Sequence, residues 1–151
     1  VGLGYFVRTA TIEDLNFIQD ELVAFTEFYE SSLFMGCVKT EYGTRFITNL
    51  IEQHIFFICE RDGIKTGFIT GFISQHMFNP EKSVLTEVFW WVKPEFRSGR
   101  SGYLLLKAFK DAGSVFDWCI MTIEDKSPVK PESIKAMGFK YKEMNFMMEN
   151  T

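Results

Sequence analysis

Along this chain the spacing of hydrophobic residues changes period several times, and each change marks an element. Tyr5-Phe6-Val7 reads as a short strand. Thr11 then stands at the start of a helix whose apolar positions Leu15, Ile18, Leu22 and Phe25 recur at helical spacing, with Asp14 where a capping box places its acid. After a connection containing Ser31, Ser32 and Gly36, the positions Phe46, Ile47, Leu50 and Ile51 predict a second amphipathic helix. From His54 the pattern becomes that of strands: Ile55 to Cys59, a turn at Asp62-Gly63, and Thr66 to Ser74, together a β-hairpin. Val84 to Val92 is a third run, dense in β-branched and aromatic residues apart from Glu87, and it stops at Lys93-Pro94. A turn over residues 97–102 opens a helix carrying Leu104, Leu105, Ala108 and Phe109 and ending at Gly113. Phe116 to Ile123 is a further strand candidate, Pro131 to Met137 a short helix stopped by Gly138, and Tyr141 to Met148 one or two closing strands. The order β-α-α-β-β-β-α-β-α-β describes an α/β (α+β) domain around a central mixed sheet.

Nothing divides the 151 residues into parts, since there is no repeat, low-complexity tract or Pro/Gly-rich linker, so residues 1–151 read as a single domain. A net charge of −4 argues against general nucleic-acid binding, which needs a basic footprint. The charge is uneven: residues 1–60 carry nine Asp/Glu against three Lys/Arg, a balance of −6, and the remainder is +2. That asymmetry suits a cationic ligand near the first part and an anionic one near the second, although surface charge drift gives the same numbers. Cys37, Cys59 and Cys119 have no CxxC or Cys/His pattern, so neither a disulfide framework nor a metal site is expected. Cys59 and Cys119 sit in apolar runs as inert thiols, and His54 and His76 read as structural. No run approaches a membrane span, and Val1-Gly2-Leu3-Gly4-Tyr5 is not a signal peptide, so the expected location is cytoplasmic. Seventeen Phe residues suggest a broad apolar sheet surface and a possible homodimer interface.

The most informative stretch is the strand Val84–Val92 followed at once by Arg97-Ser98-Gly99-Arg100-Ser101-Gly102 and a helix. Backbone N–H groups at a helix start, the helix dipole and two arginines suit a phosphate or pyrophosphate, and the glycines allow close backbone approach. A plain glycine turn into an amphipathic helix has the same local pattern, and neither a Walker loop nor a dinucleotide fingerprint is present. The whole run Val92-Lys93-Pro94-Glu95-Phe96-Arg97-Ser98-Gly99-Arg100-Ser101-Gly102-Tyr103-Leu104-Leu105 resembles the acyl-CoA signature of the GNAT superfamily of N-acetyltransferases, V-x-P-x-[YF]-[RQ]-x-x-G-x-[GA]. Arg97 and Gly102 match it, while Arg100 stands at the middle glycine and Gly99 lies one position earlier. Ile134-Lys135-Ala136-Met137-Gly138-Phe139 is similar to a late L-Y-x-K-x-G-F segment of the same family, with Ile134 in place of the tyrosine that often protonates the thiolate. Ser127 falls where an asparagine often contacts the pantetheine arm.

This resemblance implies a mostly antiparallel sheet with helices on both faces, acetyl-CoA as acyl donor, and direct transfer to a primary amine of a small cationic or peptide substrate. It places the cofactor against Arg97, Ser98, Gly99, Arg100, Ser101, Gly102 and Ser127, with the backbone of Trp90, Trp91 or Val92 polarising the thioester carbonyl. An ammonium must first lose a proton, and Glu87, the one acid within Val84–Val92, is the candidate base. Strand alternation puts Glu87 on the face of Leu85, Phe89 and Trp91, where an apolar setting raises its pKa; a solvated strand face is the competing reading. Trp90 and Trp91 line the acceptor cleft or fill the core, and Tyr103 sits at the cofactor loop rather than at the leaving thiolate. Acidic Glu21, Glu27, Glu30 and Glu41 in the first two helices favour a cationic acceptor. Because Arg100, Ser127 and Ile134 all depart from the family pattern, a catalytically degenerate acyl-CoA-binding or interaction module of the same fold stands beside the enzyme, followed by an unrelated phosphate-binding α/β domain.

Overall fold

Asp62 and Gly63 form the expected turn in left-handed backbone conformation, with φ of 51° and 81°. Two such residues in a row give the tight turn that matches strand twist. The strands they join are β2 (Ile55–Arg61) and β3 (Ile64–Gln75), paired antiparallel. This computed structural model describes residues 4–30 and 36–150; Val1, Gly2 and Leu3, and Ser31 and Ser32 of the expected connection, lie outside them. β1 (Tyr5–Thr9) adds antiparallel to β2, and β4 (Ser83–Val92) adds antiparallel to β3. β5 (Trp118–Ile120) closes the five-stranded order β1-β2-β3-β4-β5 by pairing parallel to β4.

Helices cover both faces. Thr11 and Asp14 form the reciprocal capping box, the Asp14 carboxylate accepting the Thr11 amide at 2.8 Å, and α1 (Leu15–Phe28) follows. α2 (Glu41–Gln53) is capped by Thr40, whose hydroxyl accepts the Gly43 amide at 3.1 Å. Ile18, Leu22 and Phe25 of α1 and Ile47, Leu50 and Ile51 of α2 pack on Phe56, Ile58, Phe68 and Trp91 of the sheet. On the opposite face Leu105 and Phe109 of α3 (Ser101–Gly113) pack on Cys59, Ile69, Leu85 and Val92. Phe56, Phe68 and Phe109 are sealed from solvent, each contributing about 1.5–3 kcal/mol by burial. α4 (Pro131–Ala136) starts on Pro131 and stops before Gly138, as its sequence expects.

Three differences from the sequence reading have physical causes. The register between β3 and β4 shifts so that Thr70 pairs with Phe89 and Gly71 with Glu87, leaving Val88 as a β-bulge. An extra residue inverts alternation beyond it. Leu85 therefore packs under α3, whereas Phe89 and Trp91 pack under α1, and the shared face expected for the three is not formed. β5 covers only residues 118–120 of the expected 116–123, because β4 and β5 part after the pair Thr86–Ile120. Finally, residues 139–150 have no regular structure, so the strands expected over Tyr141–Met148 are not formed among the described residues: every residue from 140 to 150 is exposed, and the segment buries no apolar face that would hold it as a strand.

Arg8, near the end of β1, belongs to a half-buried ion cluster around the buried Asp14. Arg8 grips Asp14 with two 2.8 Å bonds and Glu60 with one of 2.6 Å, and Lys65 reaches Asp14 at 2.8 Å. Burial alone would raise the Asp14 pKa, but the hydrogen bonds from Arg8, Lys65 and the Thr11 amide prevail and hold it well below the usual carboxylate range.

Candidate active site

Where β4 and β5 part, the backbone of β4 from residue 88 onward keeps a ladder only on its β3 side. Alternate peptide groups therefore face the opening rather than a strand. Glu87 is the first residue past the last shared pair, and its carboxylate accepts the Thr122 amide at 3.4 Å in place of a backbone partner. A cavity of about 180 Å³ fills the split. Phe25 of α1 and Tyr29 just after it form one side of it, Glu87, Val88 and Trp90 of β4 the second, and Thr122, Ile123, Glu124 and Ser127 of the following loop the third.

Glu87 is half-buried as a residue, and burial of its carboxyl pushes its pKa up to about 8. The nearby Glu124 carboxylate adds to the rise; the Thr122 amide opposes it, too weakly to restore the ordinary value. Glu87 is thus a group that exchanges a proton near neutrality. Tyr29 is pushed above the ordinary phenol range by burial, against an opposing hydrogen bond from Ser127. The Lys126–Glu30 ion pair also ties this loop to the end of α1, above the cavity's α1 wall.

The second part of the site is the loop into α3. The first intrahelical bond runs from the Leu104 N–H to the Arg100 carbonyl at 3.0 Å, so the amides of Ser101, Gly102 and Tyr103 point out of the helix start. Ser98, Gly99 and Arg100 are exposed beside them, and the Arg100 guanidinium lies 5.8 Å from the Tyr103 ring. The first turn of α3 packs beside a residue that lines the cavity, since a Cβ on Gly102 would come within 3.9 Å of the Trp90 ring. Small residues, outward amides and one cation meet the needs of a pyrophosphate group, so the residues present fit the cofactor that the loop's resemblance implies.

Not every residue expected at the cofactor faces this loop. The Arg97 guanidinium turns to the other face, 4.5 Å from the Trp91 ring and 5.1 Å from Phe28, and its Nε donates to the Val92 carbonyl at 2.9 Å. Trp91 belongs to the α1 core, its indole N–H donating to Glu21 at 3.0 Å. The Ser101 hydroxyl is buried against the Thr66 hydroxyl at 2.8 Å, leaving its amide as the group available at the loop. Ser127 lies with Glu87 and Trp90 in the cavity. Tyr29 and Glu124 were not signalled by sequence: the first ends a helix and the second follows a strand, and only the tertiary fold makes them neighbours. Ile134, which stands at the expected tyrosine, is a buried apolar residue. Cys119, half-buried with its thiol pushed up to about 11 by burial, is not a nucleophile near neutral pH, and iodoacetamide at pH 7 is expected to leave it unmodified in the native protein by peptide mass mapping.

One glycine in the loop is explained by its underside. The Tyr5 hydroxyl accepts the Arg100 amide at 3.0 Å, and a Cβ on Gly99 would lie 2.3 Å from that oxygen. Gly99→Ala is therefore expected to lower stability by roughly 1–3 kcal/mol in denaturant titration, an overpacking effect. Tyr5→Phe, which removes the oxygen, should restore most of the loss in the double variant; equal losses in both backgrounds would show that the contact does not restrict residue 99.

No family model matches this sequence, and no curated protein matches it. Solved structures do. A probable acetyltransferase superposes with a TM-score of 0.71 at 18% identity, over 97% of this chain and 98% of the other. A possible acetyltransferase from Clostridium difficile 630 superposes with a TM-score of 0.74 at 11% identity, over 97% of both chains. Aminoglycoside N-acetyltransferase AAC(6')-Iy, solved in complex with CoA, gives 0.68 at 14% identity over 97% of this chain and 94% of that one. The chain has the fold of these acetyltransferases, as the resemblance of the α3 loop implied.

Proposed function

We propose that this protein is an acetyl-CoA-dependent N-acetyltransferase acting on a primary amine of a small cationic or peptide substrate, with Glu87 as the base. The observation that carries this reading is the placement of an acid of raised pKa in the β4–β5 split, between an anion-ready helix start and an acidic cavity. The structural neighbours named as acetyltransferases support it, one of them in complex with CoA.

Acetyl-CoA would supply an activated thioester whose leaving thiolate, of thiol pKa about 8.5, departs readily. The amides at the start of α3 and Arg100 would hold its phosphates. Peptide groups of residues 88–91 that face the opening would accept the arm, and an N–H among them would polarise the thioester carbonyl. Trp90 lines the cavity beside Gly102 of the loop. Glu124, exposed beside the cavity, attracts the ammonium, and Glu87 in its charged form takes one proton from it. The free amine would attack the carbonyl carbon of the thioester as its C–S bond breaks, the nitrogen would lose its second proton to solvent, Glu87 would release its proton to solvent, and the thiolate would take up a proton from the bulk. No side-chain acid is needed, which suits the buried Ile134. Arg97 acts here as a positioning residue, fixing the end of β4 through the Val92 carbonyl.

Calorimetry with acetyl-CoA, followed by thiol release with a panel of amines, tests the reading. Cofactor binding with turnover of a cationic amine is expected. Binding without turnover of any amine would instead identify the degenerate module, and no binding at millimolar acetyl-CoA would remove both.

A further inference from the structure

Among the described residues one buried polar side-chain atom has no hydrogen-bond partner, the indole nitrogen of Trp90. The other two indoles are served: Trp91 donates to Glu21 at 3.0 Å, and Trp118 is 50% exposed to solvent. A buried donor left unpaired costs the desolvation of its N–H, so such a group in a folded chain calls for a physical reason. The Trp90 ring lines the cavity of the β4–β5 split. Phe89 and Trp91 pack under α1, whereas Trp90 packs with Leu105 and Phe109 on the α3 side. Its Cζ2, bonded to the ring carbon that carries the indole nitrogen, would lie 3.9 Å from a Cβ on Gly102. The N–H edge of the ring is therefore the edge nearest the first turn of α3.

We propose that the Trp90 indole N–H is a binding group for the arm of acyl-CoA, donating to one of the arm's amide carbonyls as the ring turns toward the cavity. The proposal rests on the acyl-CoA reading of the α3 loop. An arm that runs from phosphates at the start of α3 to a thioester beside Glu87 passes this ring, which borders both Gly102 and the cavity. Chemistry selects the arm over the amine, because an ammonium carries donors only and an indole N–H needs an acceptor. The thioester oxygen has the β4 peptide groups to accept from, which leaves the amide carbonyls of the arm for the side chain. Burial of the nitrogen keeps solvent from taking the bond first, so the donor is desolvated before the arm arrives.

Nuclear magnetic resonance of the isotope-labelled protein tests this without reference to activity. The three tryptophans give three indole N–H signals, assigned with Trp90→Phe, Trp91→Phe and Trp118→Phe. CoA, which has the arm but no acyl group, is expected to move the Trp90 signal downfield, and the adenosine phosphate fragment of CoA, which lacks the arm, is expected to leave it in place. Replacing the Trp90 indole by benzothiophene keeps the ring's shape and removes only the N–H. In calorimetry that protein should bind CoA roughly 3- to 10-fold more weakly, the worth of one hydrogen bond, and the fragment as the wild type does. If CoA binds while the Trp90 signal stays in place, or binds the benzothiophene protein with wild-type affinity, the proposal falls and the acyl-CoA reading stands. A shift with acetyl-CoA and none with CoA would put the acceptor at the thioester and overturn the assignment to the arm. No binding of CoA at millimolar concentration would remove the acyl-CoA reading itself, and the proposal with it.

Discussion

Glu87→Gln is expected to lower kcat/KM for amine acetylation by about 10²- to 10⁴-fold, the usual contribution of a positioned base. Acetyl-CoA affinity should stay within a few-fold, because Glu87 lies in the β4–β5 split and not at the α3 loop. Its raised pKa predicts the pH dependence. At pH 6 most of the free enzyme holds this acid protonated and cannot accept a proton, so the wild-type kcat/KM should climb until about pH 8. The amine's own titration is common to both proteins, so the ratio of wild type to variant isolates the group. A ratio that stays constant from pH 6 to 9, or full activity in the variant, would remove Glu87 as the base while leaving the fold intact.

The same residue links function to stability. A carboxyl whose folded pKa is raised contributes stability that is present below its unfolded pKa and lost as pH rises through the folded value near 8. Glu87→Gln should therefore match the wild type near pH 4 and exceed it increasingly towards pH 8 in denaturant midpoints. Loss of activity together with gain of stability is what a buried functional acid predicts, and a structural role would move both downward.

The second large effect is expected at the opposite end of the sheet. Asp14→Asn should cost about 1–3 kcal/mol, because it removes the buried acceptor of a half-buried ion cluster and leaves the Arg8 and Lys65 charges short of their acceptor. Glu60 keeps its bond to Arg8, which holds the loss below that of a fully orphaned pair. The linkage sign is the reverse of that for Glu87. Asp14 is depressed, so its contribution is present above the ordinary carboxylate pKa and disappears as pH falls through that range and below. Wild type and Asp14→Asn should thus differ in urea midpoint at pH 7 and converge towards pH 2. A difference that persists undiminished at acid pH would mean that lost packing or the lost cap, rather than charge, sets the cost.

The local elements were legible because their signals are local. Thr11 and Asp14, Asp62-Gly63 and Pro131 act on backbone groups within a few residues of themselves, and each does in the fold what its sequence context implies. The loop into α3 was legible for the same reason, since a helix start exposes its amides whatever packs behind it. Face assignments beyond residue 87 were not. One extra residue at Val88 inverts every later side chain, and a bulge is set by pairing with β3 rather than by the residues of β4.

Amino-acid order by itself determined the helices and the hairpin, the glycine-rich turn with its outward amides, and Glu87 as an acid set in an apolar strand. Tertiary structure decided that β4 and β5 part after Thr86, that Tyr29 and Glu124 join Glu87 around one cavity, and that Arg97 braces Val92 on the α1 face instead of meeting the loop. It also decided that the alternating segment 141–148 forms no strand among the described residues and stays exposed. The division follows from range. A cap or turn is stabilised by atoms a few bonds along the same backbone, whereas a cavity, a raised pKa and a strand each depend on what distant segments bring to the opposite side.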